Sequence, residues 1–300
     1  MARRTFPLRA PLDLRRTLGP VRRGSLDPTM RLDDRSCWRA TRTPDGPATL
    51  HLWLSGSALE AEAWGPGADW AVEHAGSLAG LDDDPTSFRP THPLVASLHR
   101  RRLGARIGRT GAVAEALVPT ILEQKVTGLE AKRSYRWLVQ RLGEPAPGPG
   151  AEAGLRVPPS PRTLATTPSW VFHRANLERK RSDTIARCMA RAVRLEEIAS
   201  MSMADAYRRL QAFPGVGPWS AAEVAVVALG DPDAVSVGDY HLPHQVTWAL
   251  AGEARGTDER MLELLEPFRG HRARVCRLLV GLGGPPRRGP RLSPHAIAAI

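Results

Sequence analysis

Two hydrophobic periods divide the chain. Between residues 37 and 64 apolar and polar positions alternate: Cys37-Trp-Arg-Ala-Thr-Arg-Thr leads to a Pro44-Asp-Gly-Pro turn, Ala48-Thr-Leu-His-Leu-Trp-Leu follows, and a third run, Leu59-Glu-Ala-Glu-Ala-Trp64, comes after Gly56. Side chains two apart share a strand face, so the pattern predicts a small antiparallel meander with one side buried. Gly65-Pro-Gly-Ala ends it. Residues 69–81 read as a helix packed through its apolar side, and Asp82-Asp-Asp-Pro85 closes the unit.

From Leu94 onward the period becomes helical. Helices are expected over residues 113–124, 129–142, 176–193, 203–212, 219–229, 241–250, 258–268 and 272–282, with the Pro- and Gly-rich residues 143–161 as an exposed loop. The fold class is therefore α+β: mostly helical, with a small N-terminal antiparallel sheet plus helix. Residues 1–90 are expected to form the α+β domain, 91–284 the helical domain and 285–300 a basic tail whose Arg287, Arg288 and Arg291 can reach phosphate. No repeat at solenoid periods is visible.

Charge narrows the partners. A formal net charge of +11 favours a polyanion, because cations that neutralise phosphates release condensed counterions. Charge alone leaves nucleic acid, anionic membrane and acidic protein open. No apolar run reaches the roughly 18 residues a membrane span requires, and the arginine-rich start lacks a secretory apolar stretch, so a cytoplasmic, nucleoid-associated protein with no membrane partner is expected. Cys37, Cys188 and Cys276 are too scattered for a metal knuckle and too few for a disulfide framework. The only lysines are Lys125, Lys132 and Lys180, so chemistry through an amine nucleophile has three candidates.

The most informative segment is Leu210-Gln-Ala-Phe-Pro-Gly215-Val-Gly217-Pro-Trp-Ser-Ala-Ala222. Two glycines at i and i+2 allow a sharp turn and bring main-chain N–H groups close to a flat surface. Pro218 suits the first position of the next helix, whose free N–H groups favour an anion. A Gly-x-Gly alone is equally a plain turn. Twenty residues after Trp219 stands Val235-Ser-Val-Gly-Asp239-Tyr-His-Leu, where Asp239 opens a helix. It can serve as an N-cap and as a reacting carboxylate at once.

Leu-x-x-Phe-Pro-Gly-Val-Gly-x-Trp resembles the helix-hairpin-helix element of DNA glycosylases, and the Asp239 segment resembles their catalytic aspartate at the expected distance. Upstream, Ala116-Leu-Val-Pro-Thr-Ile-Leu-Glu-Gln124-Lys-Val-Thr-Gly-Leu-Glu-Ala-Lys is similar to the superfamily's helix, turn and helix. Downstream, Pro267-Phe-Arg-Gly-His-Arg272-Ala-Arg-Val-Cys resembles its closing helix. The N-terminal meander is similar to the extra α+β domain of the 3-methyladenine DNA glycosylase II family. The likeness spans nearly the whole chain.

The resemblance implies a monofunctional DNA glycosylase of base excision repair, a monomer acting on double-stranded DNA with a damaged base. Alkylated bases of the 3-methyladenine or 7-methylguanine type are its implied substrates. Asp239 would stabilise an oxocarbenium-like sugar and orient water. Trp219 stands where bifunctional relatives carry an amine, so strand cleavage through an imine is not expected. Trp219 and Tyr240 are expected in the base pocket, against a core-anchoring tryptophan and a surface tyrosine as alternatives.

Gln124, Lys125, Pro214, Gly215, Val216, Gly217, Ser220 and Arg272 are expected at the DNA. Lys125 departs from the apolar or amide gap-filler of the family and suits phosphate better. The resemblance implies a monovalent ion, Na+ or K+, on main-chain carbonyls of Gln211, Phe213 and Val216. It requires no cofactor, and the lack of a four-cysteine cluster near the C-terminus sets the chain apart from the iron-sulfur branch. His241, His244 and His271 show no metal-site spacing. Arg179-Lys-Arg181 with Arg187, Arg191 and Arg194 form a basic helix face, solvated or flanking DNA. Two rivals are a noncatalytic damage-binding module and an oxidised-purine glycosylase with lyase activity.

Overall fold

A computed structural model describes residues 1–286 and 294. Five antiparallel strands form one sheet in the order β1-β5-β4-β3-β2, with β1 at Ala2–Pro7, β2 at Met30–Leu32, β3 at Ser36–Thr43, β4 at Gly46–Ser55 and β5 at Ala58–Trp64. The three strands read from the alternation are present. β1 and β2 escaped it: β1 pairs with β5 from Ala2↔Ala63 to Pro7↔Ala58, and its arginines Arg3 and Arg4 hide a strand behind a polar run.

One sheet face buries Cys37, Leu50, Leu52, Leu59, Ala61 and Ala63 against the helix Ala68–Leu78. That helix presents mainly alanine, and a Cβ on Gly76 would come within 2.9 Å of the Phe6 ring. Small residues thus let helix and sheet approach closely. On β3, β4 and β5, Trp38, His51 and Trp53 stack in succession at 4.0 and 4.7 Å, and Trp64 stacks on Trp38 at 5.7 Å.

Residues 143–161 are not the exposed loop that their Pro and Gly content implied. Glu144–Pro145 pairs with Arg156–Val157, which satisfies the backbone, and Ala146, Leu155 and Val157 are buried beside Ala40 with Trp38 packed on them. A Cβ on Gly150 would clash with Thr49 at 2.4 Å, so here glycine permits close packing onto the sheet rather than flexibility.

The helices gather into two further cores. One surrounds Val113–Leu122, where every residue except Glu115 is buried. Glu115 instead accepts from Arg39 Nη2 (2.6 Å), Thr41 Oγ1 (2.7 Å) and the Arg42 N–H (3.1 Å), tying this helix to β3. The other core joins Phe88, Val95 and Leu98 to Val246, Met261, Leu265, Phe268, Val275 and Leu278. Arg274 and Asp83, both 6% exposed, are paired at 3.0 and 2.5 Å where this core meets the end of the sheet unit.

The helical runs differ in detail from their expected bounds. The run at 176–193 is split into Arg179–Met189 and Ala192–Glu196, and Pro161–Thr166 and Ser169–Arg174 are additional helices. Among the described residues no helix is long and apolar enough to cross a membrane. The tail arginines Arg287, Arg288 and Arg291 lie outside the described residues.

Candidate active site

The hairpin begins with Met203–Gln211, whose N-cap Ser202 accepts the Asp205 N–H, and continues into Pro218–Val224. Between them the Phe213 and Val216 N–H groups donate to Leu210 and Phe213 carbonyls at 3.2 and 3.0 Å. Gly215 has φ +96, and a Cβ there would sit 2.6 Å from Thr184 Oγ1; conformation and contact both require glycine. Gly217 has φ −92 and nothing within 4 Å of an added Cβ, so no internal contact explains it. Its open face lets another molecule approach the backbone. Pro214, Gly215 and Gly217 are exposed while Val216 is buried, so the turn is pinned by one side chain and shows main chain outward.

Gln124 braces this turn: its Nε2 donates to the Gly215 carbonyl and to Ser220 Oγ, each at 2.9 Å. Ser220, expected at the DNA, is only 2% exposed, and its hydroxyl accepts from Gln124 inside the turn. Lys125 follows at φ +56, exposed. Arg187 is exposed and donates to Thr184 Oγ1 (3.2 Å), the same threonine that lies against Gly215. Arg181, expected on the basic face, is instead buried and donates to the Leu122 carbonyl at 2.9 Å. The helix end it caps lacks intrahelical partners for its carbonyls, which outweighs solvation of that one arginine.

Asp239 lies where the two helical cores meet. The hairpin belongs to the first through Phe213, Val216 and Ala221, whereas Val235 and Leu242 pack on the second. Asp239 Oδ1 accepts the His241 and Leu242 N–H groups at 2.7 and 2.8 Å, capping the helix Leu242–Ala251. Its Oδ2 accepts Trp219 Nε1–H at 3.0 Å from the hairpin. All three donors are neutral, and among the described residues no cation pairs with this half-buried carboxylate. The carboxyl group is fixed in place by these three bonds alone.

Trp219 therefore acts through its ring edge as a donor to Asp239. Tyr240, the other expected pocket aromatic, is 76% exposed and meets His241 edge-on at 4.9 Å, at the outer side of the site. Arg272 is not an outward cation. Its Nε and Nη2 donate to Asp233 at 2.8 and 2.5 Å, and Asp233 also accepts the Gly270 and Arg272 N–H groups, so this residue, expected at the DNA, is held in a clamp at the start of its helix. His271 bonds Ser87 Oγ (2.8 Å) and lies beside Phe88, and His244 accepts the Gly256 N–H. Among the described residues, no three His, Cys, Asp or Glu side chains gather as a metal site.

Sequence reasoning missed Glu223 and Ser236. Ser236 Oγ donates to Glu223 Oε1 across the same gap that Trp219 and Asp239 bridge. A single acid within Ala221-Ala-Glu-Val-Ala-Val-Val, four residues after Trp219, was the available signal. Burial raises the Glu223 carboxyl above its usual range, opposed by the Ser236 bond and reinforced by Glu123 and Asp239 nearby.

No family model matches the chain. The DNA-3-methyladenine glycosylase of Bacillus subtilis is 26% identical over 196 residues, 63% of this chain and 64% of that protein. A probable bifunctional transcriptional activator/DNA repair enzyme AlkA of Mycobacterium tuberculosis is 28% identical over 168 residues, 55% of this chain and 34% of that protein. The chain thus spans less than two thirds of the length of either curated relative. Among solved structures, a 3-methyladenine DNA-glycosylase from Archaeoglobus fulgidus superimposes with a TM-score of 0.75 at 18% identity, covering 93% of this chain and 98% of that one. The 8-oxoguanine glycosylase/lyase of Clostridium acetobutylicum, solved with DNA, gives 0.67 at 14% identity, covering 89% and 90%. The fold is similar to that of these DNA glycosylases. In sequence the chain is similar to the proteins named DNA-3-methyladenine glycosylase and AlkA.

Proposed function

We propose that this protein is a monofunctional DNA glycosylase that hydrolyses the N-glycosidic bond of alkylated bases, of the 3-methyladenine or 7-methylguanine type, in duplex DNA. The observation that carries the reading is Asp239: a carboxylate held by three neutral N–H donors, beside a glycine hairpin whose backbone faces outward. Glycoside cleavage builds positive charge on the sugar, and a nearby anion stabilises it. At about 4 Å and an effective dielectric of about 20, that attraction is worth roughly 4 kcal/mol, about a thousandfold in rate. A base alkylated on a ring nitrogen is already cationic and leaves without a protein acid.

The hairpin supplies the hold on the DNA. Exposed main chain at Pro214, Gly215 and Gly217 and the start of the Pro218–Val224 helix suit a phosphate, with Arg187 and Lys125 as flanking cations. The carbonyls of Gln211, Phe213 and Val216 belong to this one turn. Neutral oxygens of that kind suit a monovalent ion, which would stiffen the turn; the carbonyl of Phe213 already accepts the Val216 N–H. Residues 1–90, 91–284 and 285–300 are proposed as sheet domain, glycosylase domain and basic tail. In support, the sheet core extends to Leu81, whereas Phe88, at the end of the first range, packs with the C-terminal helices.

Lyase chemistry needs an amine at the sugar, and Trp219 occupies the hairpin position facing Asp239. Incubation with duplexes each bearing one defined lesion, scored separately for base loss and strand scission, tests the reading. Release of methylated purines without scission is expected. Strand cleavage with a borohydride-trapped adduct would establish a lyase instead, and lesion-selective binding without any base loss a damage-binding module.

A further inference from the structure

Glu223 is an acid that the reading above leaves unused. It sits four residues after Trp219 on the hairpin's second helix, so the two side chains share a face. Both reach across to one loop: Trp219 to Asp239, Glu223 to Ser236. That loop is folded on itself, with the Asp239 N–H on the Ser236 carbonyl at 3.2 Å. The two carboxyl groups are close enough to feel one another's charge.

The two oxygens of Glu223 differ. Oε1 is taken by Ser236, whereas no hydrogen bond reaches Oε2 among the described residues. Arg23 lies close enough to feel this acid but pairs with Glu123 at 3.5 Å. Arg277 also feels it, yet donates to the Val226 carbonyl at 3.3 Å, and burial draws its guanidinium down to about 10. Neither cation forms an ion pair with Glu223 among the described residues. The result is a recessed carboxyl group with one unbonded oxygen, one helical turn beyond the tryptophan that holds Asp239; burial disfavours its ionised form, and a cationic base beside it would restore that form. An ion pair would have neutralised it, and an apolar residue would have suited its surroundings better.

We propose that Glu223 is a specificity-determining residue whose unbonded oxygen accepts an N–H of the extruded base and favours bases that carry positive charge. This rests on the glycosylase reading and adds a selector to it. Asp239 answers to charge that develops on the sugar during cleavage. Glu223 answers to charge the base carries before cleavage begins, so it separates N-alkylated purines from neutral ones that Asp239 would treat alike. Ser236 is a positioning residue that fixes the carboxyl rotamer.

The test is single-turnover release of two purines from otherwise identical duplexes, 7-methylguanine as the cationic base and hypoxanthine as the neutral one. Wild type, Glu223→Gln and Ser236→Ala are compared. Glu223→Gln keeps the shape and can still accept from Ser236, and it should lower the ratio of cationic to neutral release by about tenfold or more. Ser236→Ala loosens the tether and should lower the same ratio, by less than Glu223→Gln does. A Glu223→Gln enzyme that slows both bases in proportion overturns the selector and leaves the glycosylase standing. Wild type that releases neither base overturns the glycosylase reading, and the selector with it.

Discussion

Asp233 and Asp239 stand six residues apart, each at the start of a helix or helix contact, yet they are held in opposite ways. Asp233 is bound by the Arg272 guanidinium through two nitrogens and by two backbone N–H groups. Burial tends to raise its pKa, but the Arg272 bonds and charge together hold it below the usual carboxylate range. Asp239 has as many fixed donors as it needs for orientation and none that carries charge. A carboxylate neutralised by a guanidinium locks two chain segments together. One held by dipoles alone still has a full charge to offer a cation that forms beside it. On the proposed function, the contrast separates a structural acid from a reactive one in a chain rich in arginine.

The largest effect is expected at the unpaired member. Asp239→Asn keeps the cap geometry and removes the charge, and should slow single-turnover base release by about a thousandfold. Arg272→Ala, on the other side of the comparison, should cost about 2 kcal/mol of stability in urea unfolding while leaving base release per folded molecule close to wild type, because it breaks charge-assisted bonds remote from the sugar. If Arg272→Ala abolished release instead, the division between the two aspartates would fail. Trp219→Phe removes only the indole donor to Asp239 and should slow release by about tenfold.

The smallest effect concerns Glu223 and pH. Its pKa is raised in the folded state, so the stabilisation it contributes is complete below the ordinary glutamate value and is lost as pH rises through the raised value. Glutamine carries no such loss. Thermal melting of Glu223→Gln should therefore gain a few degrees on wild type as pH rises above the ordinary glutamate value of about 4.3. A difference in melting that does not change with pH would contradict burial as the cause.

The sheet and the main helices were legible because strand alternation and helical period survive in single-sided elements such as β4 and Met203–Gln211. β1 was not legible, since an edge strand with exposed arginines carries no alternation. The Gly-Pro stretch at 143–161 misled for a related reason: small residues signal both loops and close packing, and only contact with Thr49 and Ala40 separates the two. At the site, the spacing from Trp219 to Asp239 anticipated a shared location but not the hydrogen bond that joins them. The partners of Arg272, Ser220 and Arg181 depend on tertiary contacts with Asp233, Gln124 and Leu122, which no local spacing reveals. Glu223 was visible as a charge in an apolar run, without the Ser236 contact that gives it meaning.

The account rests on Asp239 meeting positive charge on the sugar, and affinity for a charged mimic measures that without any chemistry. Two duplexes differ at one site, one carrying a protonated pyrrolidine in place of deoxyribose and the other a neutral tetrahydrofuran. Wild type should bind the pyrrolidine duplex at least about tenfold more tightly, and Asp239→Asn should bind the two alike. Equal binding of both duplexes by wild type, or a preference that survives Asp239→Asn, would contradict it.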